Sequence, residues 1–184
     1  MKALVNRLGR ELSPWLDVRF VFFGHSMGSL VAFELARQLR RRGMPQPAGL
    51  FVSAYRSPKV PHAFASYHDL SDNEFIVKVG ARYGGIPAAL AEDKELLQHY
   101  LPGLRADFAL LSQYEFAPEE PLDCPFFVYN GLSDSLITPA DVEVWRTLTS
   151  TSSVERWFPG GHFYIRSHRA AVLQSLANDL GSFQ

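Results

Sequence analysis

Phe23-Gly24-His25-Ser26-Met27-Gly28 lies between a mostly apolar run, Val18 to Phe23, and a helical run, Ser29 to Arg42. A Gly-x-Ser-x-Gly placed between a strand and a helix predicts a nucleophile elbow. The turn is so sharp that the positions two before and two after the serine must be nearly free of side chain. Gly24 and Gly28 meet that demand. The serine is then expected in a strained backbone geometry, its hydroxyl exposed above the sheet edge. The new helix aims its N-terminal dipole at the same spot, where an oxyanion would develop. The five-residue pattern alone is a weak signal; the legible strand before it and helix after it strengthen the reading.

The flanking elements extend this pattern. Val18 to Phe23 is apolar apart from Arg19, as in a strand in the buried middle of a parallel sheet. The helix Ser29 to Arg42 carries an apolar stripe of Val31, Leu35 and Leu39, with Ala32 and Ala36 beside it, and Gly43 closes it. Met1 to Leu12 reads as an amphipathic helix ended by Ser13-Pro14. Gly49 to Ala54, Phe126 to Tyr129 and Val154 to Phe158 read as further strands, and Ser167 to Leu180 as the last helix. Strands alternating with helices predict an α/β fold with a mostly parallel sheet.

From His68 to Tyr114 the alternation stops. Helices are predicted at Asp72 to Gly80, Ala91 to Tyr100 and Leu104 to Tyr114, punctuated by Gly84-Gly85, Pro87 and Pro102-Gly103. The expectation is a single domain, residues 1–184, with an all-helical insertion at about 68–114 serving as a cap. Its apolar residues include Phe75, Ile76, Val77, Leu96, Leu97, Leu101, Leu104, Phe108, Leu110 and Leu111; most should form its own small core, and a cap over the nucleophile would line a passage suited to an acyl chain.

A serine hydroxyl is a poor nucleophile at neutral pH and needs a base, which in turn needs an orienting acid. The elbow-bearing hydrolases place these in the chain order serine, acid, histidine. Asp134 is the candidate acid, because it follows the strand Phe126 to Tyr129 at its C-terminal end, where such sheets carry function. Asp123 precedes that strand, and Asp141 reads as the first turn of a helix. His162, in Pro159-Gly160-Gly161-His162-Phe163, is the candidate base, and its two glycines let the backbone bring the imidazole close to Ser26. His168 is a weaker rival; His62, His68 and His99 read as structural or surface residues, and the His25 side chain is expected to point away along the turn. The backbone N–H of Met27 is the candidate oxyanion donor. No residue cluster has metal-ligand spacing and no glycine-rich phosphate loop is present, so neither metal nor cofactor is expected.

A net charge of −1 argues against nucleic acid or an anionic membrane as the main partner. The basic cluster Arg37-Gln38-Leu39-Arg40-Arg41-Arg42 closes a helix, where cations complement the dipole; a docking role toward acidic partners is the other reading. Cys124, the sole cysteine, reads as a small buried residue and a reducing cytoplasm as the compartment. No apolar stretch is long enough to cross a bilayer.

Together these residues give a resemblance that covers nearly the whole chain. It resembles the type II thioesterases, stand-alone editing enzymes of nonribosomal peptide and polyketide synthesis within the α/β-hydrolase superfamily. The resemblance rests on Phe23 to Gly28 with Val31-Ala32-Phe33-Glu34-Leu35-Ala36 behind it, on Leu101-Pro102-Gly103-Leu104-Arg105-Ala106-Asp107-Phe108, and on Pro121-Leu122-Asp123-Cys124-Pro125. Gly131-Leu132-Ser133-Asp134 and Gly160-Gly161-His162-Phe163 complete it. The elbow is common to the superfamily; the Leu101 to Phe108 segment is far more particular to the family. The resemblance implies Ser26 as nucleophile, His162 as base and Asp134 as acid. It also implies acyl groups on the phosphopantetheine arm of an acyl or peptidyl carrier protein as substrate. Two rival readings stay open, a general carboxylesterase and a truncated, non-catalytic carrier-protein binder. Family members begin with further strands and a loop that supplies a second oxyanion amide, whereas this chain opens at the helix before the nucleophile strand. The expectation is therefore an N-terminally truncated α/β-hydrolase, with the second oxyanion donor unassigned and one sheet edge open.

Overall fold

The computed structural model describes residues 1–61, 67, 69–83 and 94–183. His62, His68 and the start of the helix expected from Ala91 lie outside the described residues. Contacts divide the chain into two compact units, Met1–Val60 with Phe116–Gln184, and Pro61–Glu115.

The first unit is an α/β layer structure. Four strands, β1 (Phe22–His25), β2 (Leu50–Ser53), β3 (Phe126–Gly131) and β4 (Ser153–Phe158), form one sheet in the order β1-β2-β3-β4. Every pairing is parallel, with Gly24 opposite Val52, Val52 opposite Val128, and Gly131 opposite Phe158. All C-terminal strand ends therefore lie along one edge, the place where such sheets carry function. Helices α1 (Lys2–Leu12) and α2 (Met27–Arg41) precede and follow β1. Val5, Leu16, Leu35 and Leu39 make a small core between them. The main core joins Phe33 and Ala36 of α2 to Phe126, Val128 and Trp145, and the ring of Phe51 stacks on Phe127 at 4.5 Å. Short helices α5 (Pro139–Glu143) and α6 (Tyr164–Ser167) and the longer α7 (Arg169–Gly181) complete the unit.

The second unit is helical. Helices α3 (Asp72–Tyr83) and α4 (Lys94–Ser112) bury Tyr67, Phe75, Val79, Leu101 and Phe108 against one another. Arg105 of α4 lies over the Phe75 ring at 4.6 Å and pairs with Asp72 at 2.7 Å, which ties the two helices together.

Three boundaries differ from the sequence reading. The first strand runs from Phe22 to His25 rather than from Val18 to Phe23, because its ladder with β2 begins at the Phe22–Leu50 pair and continues into the elbow itself. Val18 is 64 % exposed, so its apolar character does not mark a buried strand. Pro102-Gly103 does not break the helix of the second unit that contains it. Helix α4 passes through Pro102, whose missing N–H leaves the carbonyl of Gln98 on an exposed turn open to water. The last helix is split at His168, where φ is −123°, into α6 and α7.

Candidate active site

Ser26 sits between the last residue of β1 and the first of α2 with φ of +54° and ψ of −126°, a left-handed conformation that a non-glycine residue adopts only under constraint. The constraint comes from its neighbours. Ser26 N–H donates to the Ser53 carbonyl at 2.7 Å, and the buried Ser29 hydroxyl lies 2.8 Å from Gly24 O and 2.9 Å from Ser53 O. The turn brings α2 so close to β1 that a Cβ on Gly24 would stand 2.1 Å from Gly28 O. Gly28 is different, since a Cβ there meets nothing within 4 Å. The turn therefore demands a residue without a side chain at Gly24 but not at Gly28, contrary to the expectation for both positions. Gly24→Ala is expected to cost about 3 kcal/mol or more, as an overpacked site whose neighbour is backbone. Gly28→Ala should change stability by no more than about 1 kcal/mol, in the stabilising direction of a helical alanine. Urea unfolding of the two variants checks the contrast.

Asp134 and His162 are carried by two loops that the sheet holds side by side. After β3, Leu132 N–H donates to Phe158 O at 2.8 Å and Ser133 N–H to Gly160 O at 2.9 Å, so the loop that carries Asp134 is stitched to the end of β4. Gly131 permits this approach, because a Cβ there would lie 2.5 Å from Gly161 O and 2.6 Å from Gly160 O. Gly160 turns the loop that carries His162, with φ of +102°. In the sequence Gly131 is marked only as part of the Gly131-Leu132-Ser133-Asp134 segment; the close approach that requires glycine there arises from the pairing of β3 with β4.

The geometry joins the three candidate residues. His162 Nε2 lies 3.0 Å from Ser26 Oγ, and His162 Nδ1 lies 2.9 Å from Asp134 Oδ2. The second carboxylate oxygen, Oδ1, accepts from Leu136 N–H at 3.0 Å. The Asp134 and His162 side chains are 1 % and 6 % exposed. With the carboxylate accepting from Nδ1–H, Nε2 presents its lone pair to the Ser26 hydroxyl, the arrangement a general base requires. Met27 is the first residue of α2, so its N–H has no partner within the helix and belongs to the positive end of the dipole.

The His25 side chain does not point away. Its ring lies 5.3 Å from the ring of His162, and its Nδ1 is 2.8 Å from Ser53 Oγ. The β-strand continues through His25, and strand geometry rather than a free turn fixes its direction. Burial, and secondarily the neighbouring His162, push the His25 pKa down to about 4, so at neutral pH His25 is uncharged.

The other candidates take structural roles. Asp123 accepts from Ser150 Oγ at 3.0 Å, and Asp141 forms a capping box with Thr138 at the start of α5. His168 contacts Ser167 Oγ at 3.0 Å, and His99 packs edge-on against Tyr100 in the helical unit. Cys124 is buried, which pushes its thiol up to about 12. The basic cluster is largely engaged within the chain. Arg37 pairs with Glu34 at 2.6 Å and Glu119 at 2.7 Å, and Arg40 and Arg41 pair with Glu119 at 3.0 and 2.5 Å. This favours a structural reading over a docking one. Among the described residues no group of three or more His, Cys, Asp or Glu is placed to hold a metal ion, and no helix is long and apolar enough to cross a membrane.

Comparison with known proteins places this geometry in context. The family model for the thioesterase domain matches residues 1–180. The gramicidin S biosynthesis protein GrsT of Aneurinibacillus migulanus is 33 % identical over 180 residues, which cover 98 % of this chain and 70 % of GrsT. Among solved structures, the RedJ thioesterase from the prodiginine pathway of Streptomyces coelicolor superposes with a TM-score of 0.84 at 36 % identity, covering 95 % of this chain and 70 % of RedJ. YbtT, the type II thioesterase of the yersiniabactin pathway, superposes with a TM-score of 0.82 at 30 % identity, covering 96 % and 72 % of the two chains.

Proposed function

The chain belongs to the thioesterase domain family, whose members hydrolyse thioesters, and on that premise we propose that Ser26, His162 and Asp134 are its catalytic triad. We further propose that its substrates are acyl groups on the phosphopantetheine arm of an acyl or peptidyl carrier protein in natural-product synthesis. The observation that carries this reading is the continuous chain of contacts from Ser26 Oγ through His162 to Asp134, at 3.0 and 2.9 Å.

His162 Nε2 takes the Ser26 proton as Oγ attacks the thioester carbonyl carbon. The negative charge that develops on the carbonyl oxygen is met by the N–H of Met27 and the α2 dipole. The C–S bond breaks, His162 passes its proton to the departing thiolate, and an acyl ester on Ser26 remains. Water then attacks that ester while His162 takes its proton; the acid leaves, and the proton returns to Ser26 Oγ. Asp134 holds Nδ1–H throughout and balances the imidazolium. His25, lowered to about 4, is not basic enough to replace His162 in this role.

We propose that the two units serve one functional domain over residues 1–184. Within the helical unit a cavity of about 460 Å³ is lined by Tyr67, Phe75 and Phe108 together with the polar Arg105, Ser112 and Gln113. The cytoplasm is the proposed compartment, supported by a single buried cysteine that forms no disulfide. The discriminating experiment compares an acyl carrier thioester with an oxygen ester of the same acid. A higher kcat/KM on the carrier thioester supports the proposal. Preference for the oxygen ester makes the chain a general carboxylesterase. Carrier binding without turnover of either makes it a non-catalytic binder.

A further inference from the structure

Ser53 and Tyr164 belong to none of the motifs that mark the triad, yet they tie its two halves together. Ser53 ends β2 and is fully buried. Its carbonyl accepts from Ser26 N–H at 2.7 Å, so its backbone fixes the nucleophile. Its hydroxyl lies 2.5 Å from Tyr164 Oη and 2.8 Å from His25 Nδ1. Tyr164 is also fully buried, stands two residues beyond His162, and closes the base loop through its N–H to Gly161 O at 3.1 Å. Its ring stacks on Phe158 at 5.2 Å with planes 6° apart, which leaves the hydroxyl as the group that reaches across to β2. His25, adjacent to the nucleophile in sequence, completes the link on the other side.

We infer that His25, Ser53 and Tyr164 form a hydrogen-bonded strut that sets the distance between Ser26 Oγ and His162 Nε2. The inference rests on the proposed triad, in which the three are positioning residues and touch no substrate. A strut of this kind acts on the proton transfer rather than on binding. An error of about 1 Å between nucleophile and base can cost up to about a hundredfold in rate. Burial gives the strut its stiffness, since neither hydroxyl can exchange its partner for bulk water.

Tyr164→Phe deletes one oxygen and keeps the stacked ring. In the full chain acting on an acyl carrier thioester, it is expected to lower kcat about tenfold while KM stays within about twofold. The rate constant for labelling of Ser26 by a fluorophosphonate, measured well below the unfolding temperature, should fall by the same factor. Ser53→Ala should match it, and the double variant should lose little more than either alone. His25→Asn offers a polar atom near the position of Nδ1 and should retain more activity than His25→Leu. A merely structural role predicts a lower Tm with unchanged labelling rate and kcat. That result in Tyr164→Phe, or a loss carried wholly by KM, overturns the strut. If the unsubstituted chain hydrolyses the thioester without its Ser26 being labelled, the triad proposal itself has failed, which separates the two failures.

Discussion

Ser26→Ala is expected to lower thioester hydrolysis by about 10⁶-fold, since removing the serine of a Ser-His-Asp set costs about as much as removing the whole set. The fold should survive. Ser26 is held by its backbone, through its N–H to Ser53 O at 2.7 Å, and alanine meets the same φ of +54° that serine already occupies. What disappears is the hydroxyl oxygen that lies 3.0 Å from His162 Nε2. The variant should therefore unfold within a few degrees of the unsubstituted chain, bind acyl carrier with unchanged affinity, and resist fluorophosphonate. Single-turnover release of the acid, measured beside thermal unfolding, checks both halves. Loss of activity together with loss of fold would say nothing in favour of a nucleophile.

Asp134→Asn is expected to cost about 10⁴-fold in kcat with little change in KM. The side chain is 1 % exposed, and its two oxygens have separate duties: Oδ2 faces His162 Nδ1 at 2.9 Å and Oδ1 accepts from Leu136 N–H at 3.0 Å. Asparagine can keep the second contact with its carbonyl oxygen. Its NH₂ group then faces Nδ1 and donates, which drives the imidazole to the tautomer with its proton on Nε2. That nitrogen can no longer accept from Ser26. The two substitutions should not add. Ser26→Ala with Asp134→Asn should be no slower than Ser26→Ala alone, because the acid acts only through the base and nucleophile. An Asp134→Asn chain with near-normal kcat would remove Asp134 from the mechanism.

The residues that meet at the site were legible because their chemistry is written into local patterns. Gly24 and Ser26 follow from the elbow motif, and Asp134 and His162 from polar residues placed just after apolar strand runs in the order that a parallel sheet requires. The parallel sheet itself followed from alternation, and the four observed strands overlap the four expected ones. What stayed hidden depends on register. Ser53 becomes a hub only when β2 lies beside β1 so that His25 stands opposite it, and no spacing in the chain announces that pairing. Gly131 matters only because the end of β4 passes within a Cβ's reach. The direction of His25 is hidden in the same way, because the strand runs through His25 to the residue before Ser26 instead of ending at Phe23. Pro102 misled for a different reason. Its exposed helix turn lets water satisfy the carbonyl that proline leaves unpaired, so a strong local breaker was overruled by α4 packing through Leu101 and Phe108.

The most direct measurement is release of free acid from a carrier protein loaded with an acyl thioester, with Ser26→Ala run in parallel. Steady release by the 184-residue chain is expected, with stoichiometric labelling of Ser26 by a fluorophosphonate and no release above background from the variant. Equal release from the chain and its Ser26→Ala variant would show that Ser26 is not the nucleophile, whatever other activity the protein shows.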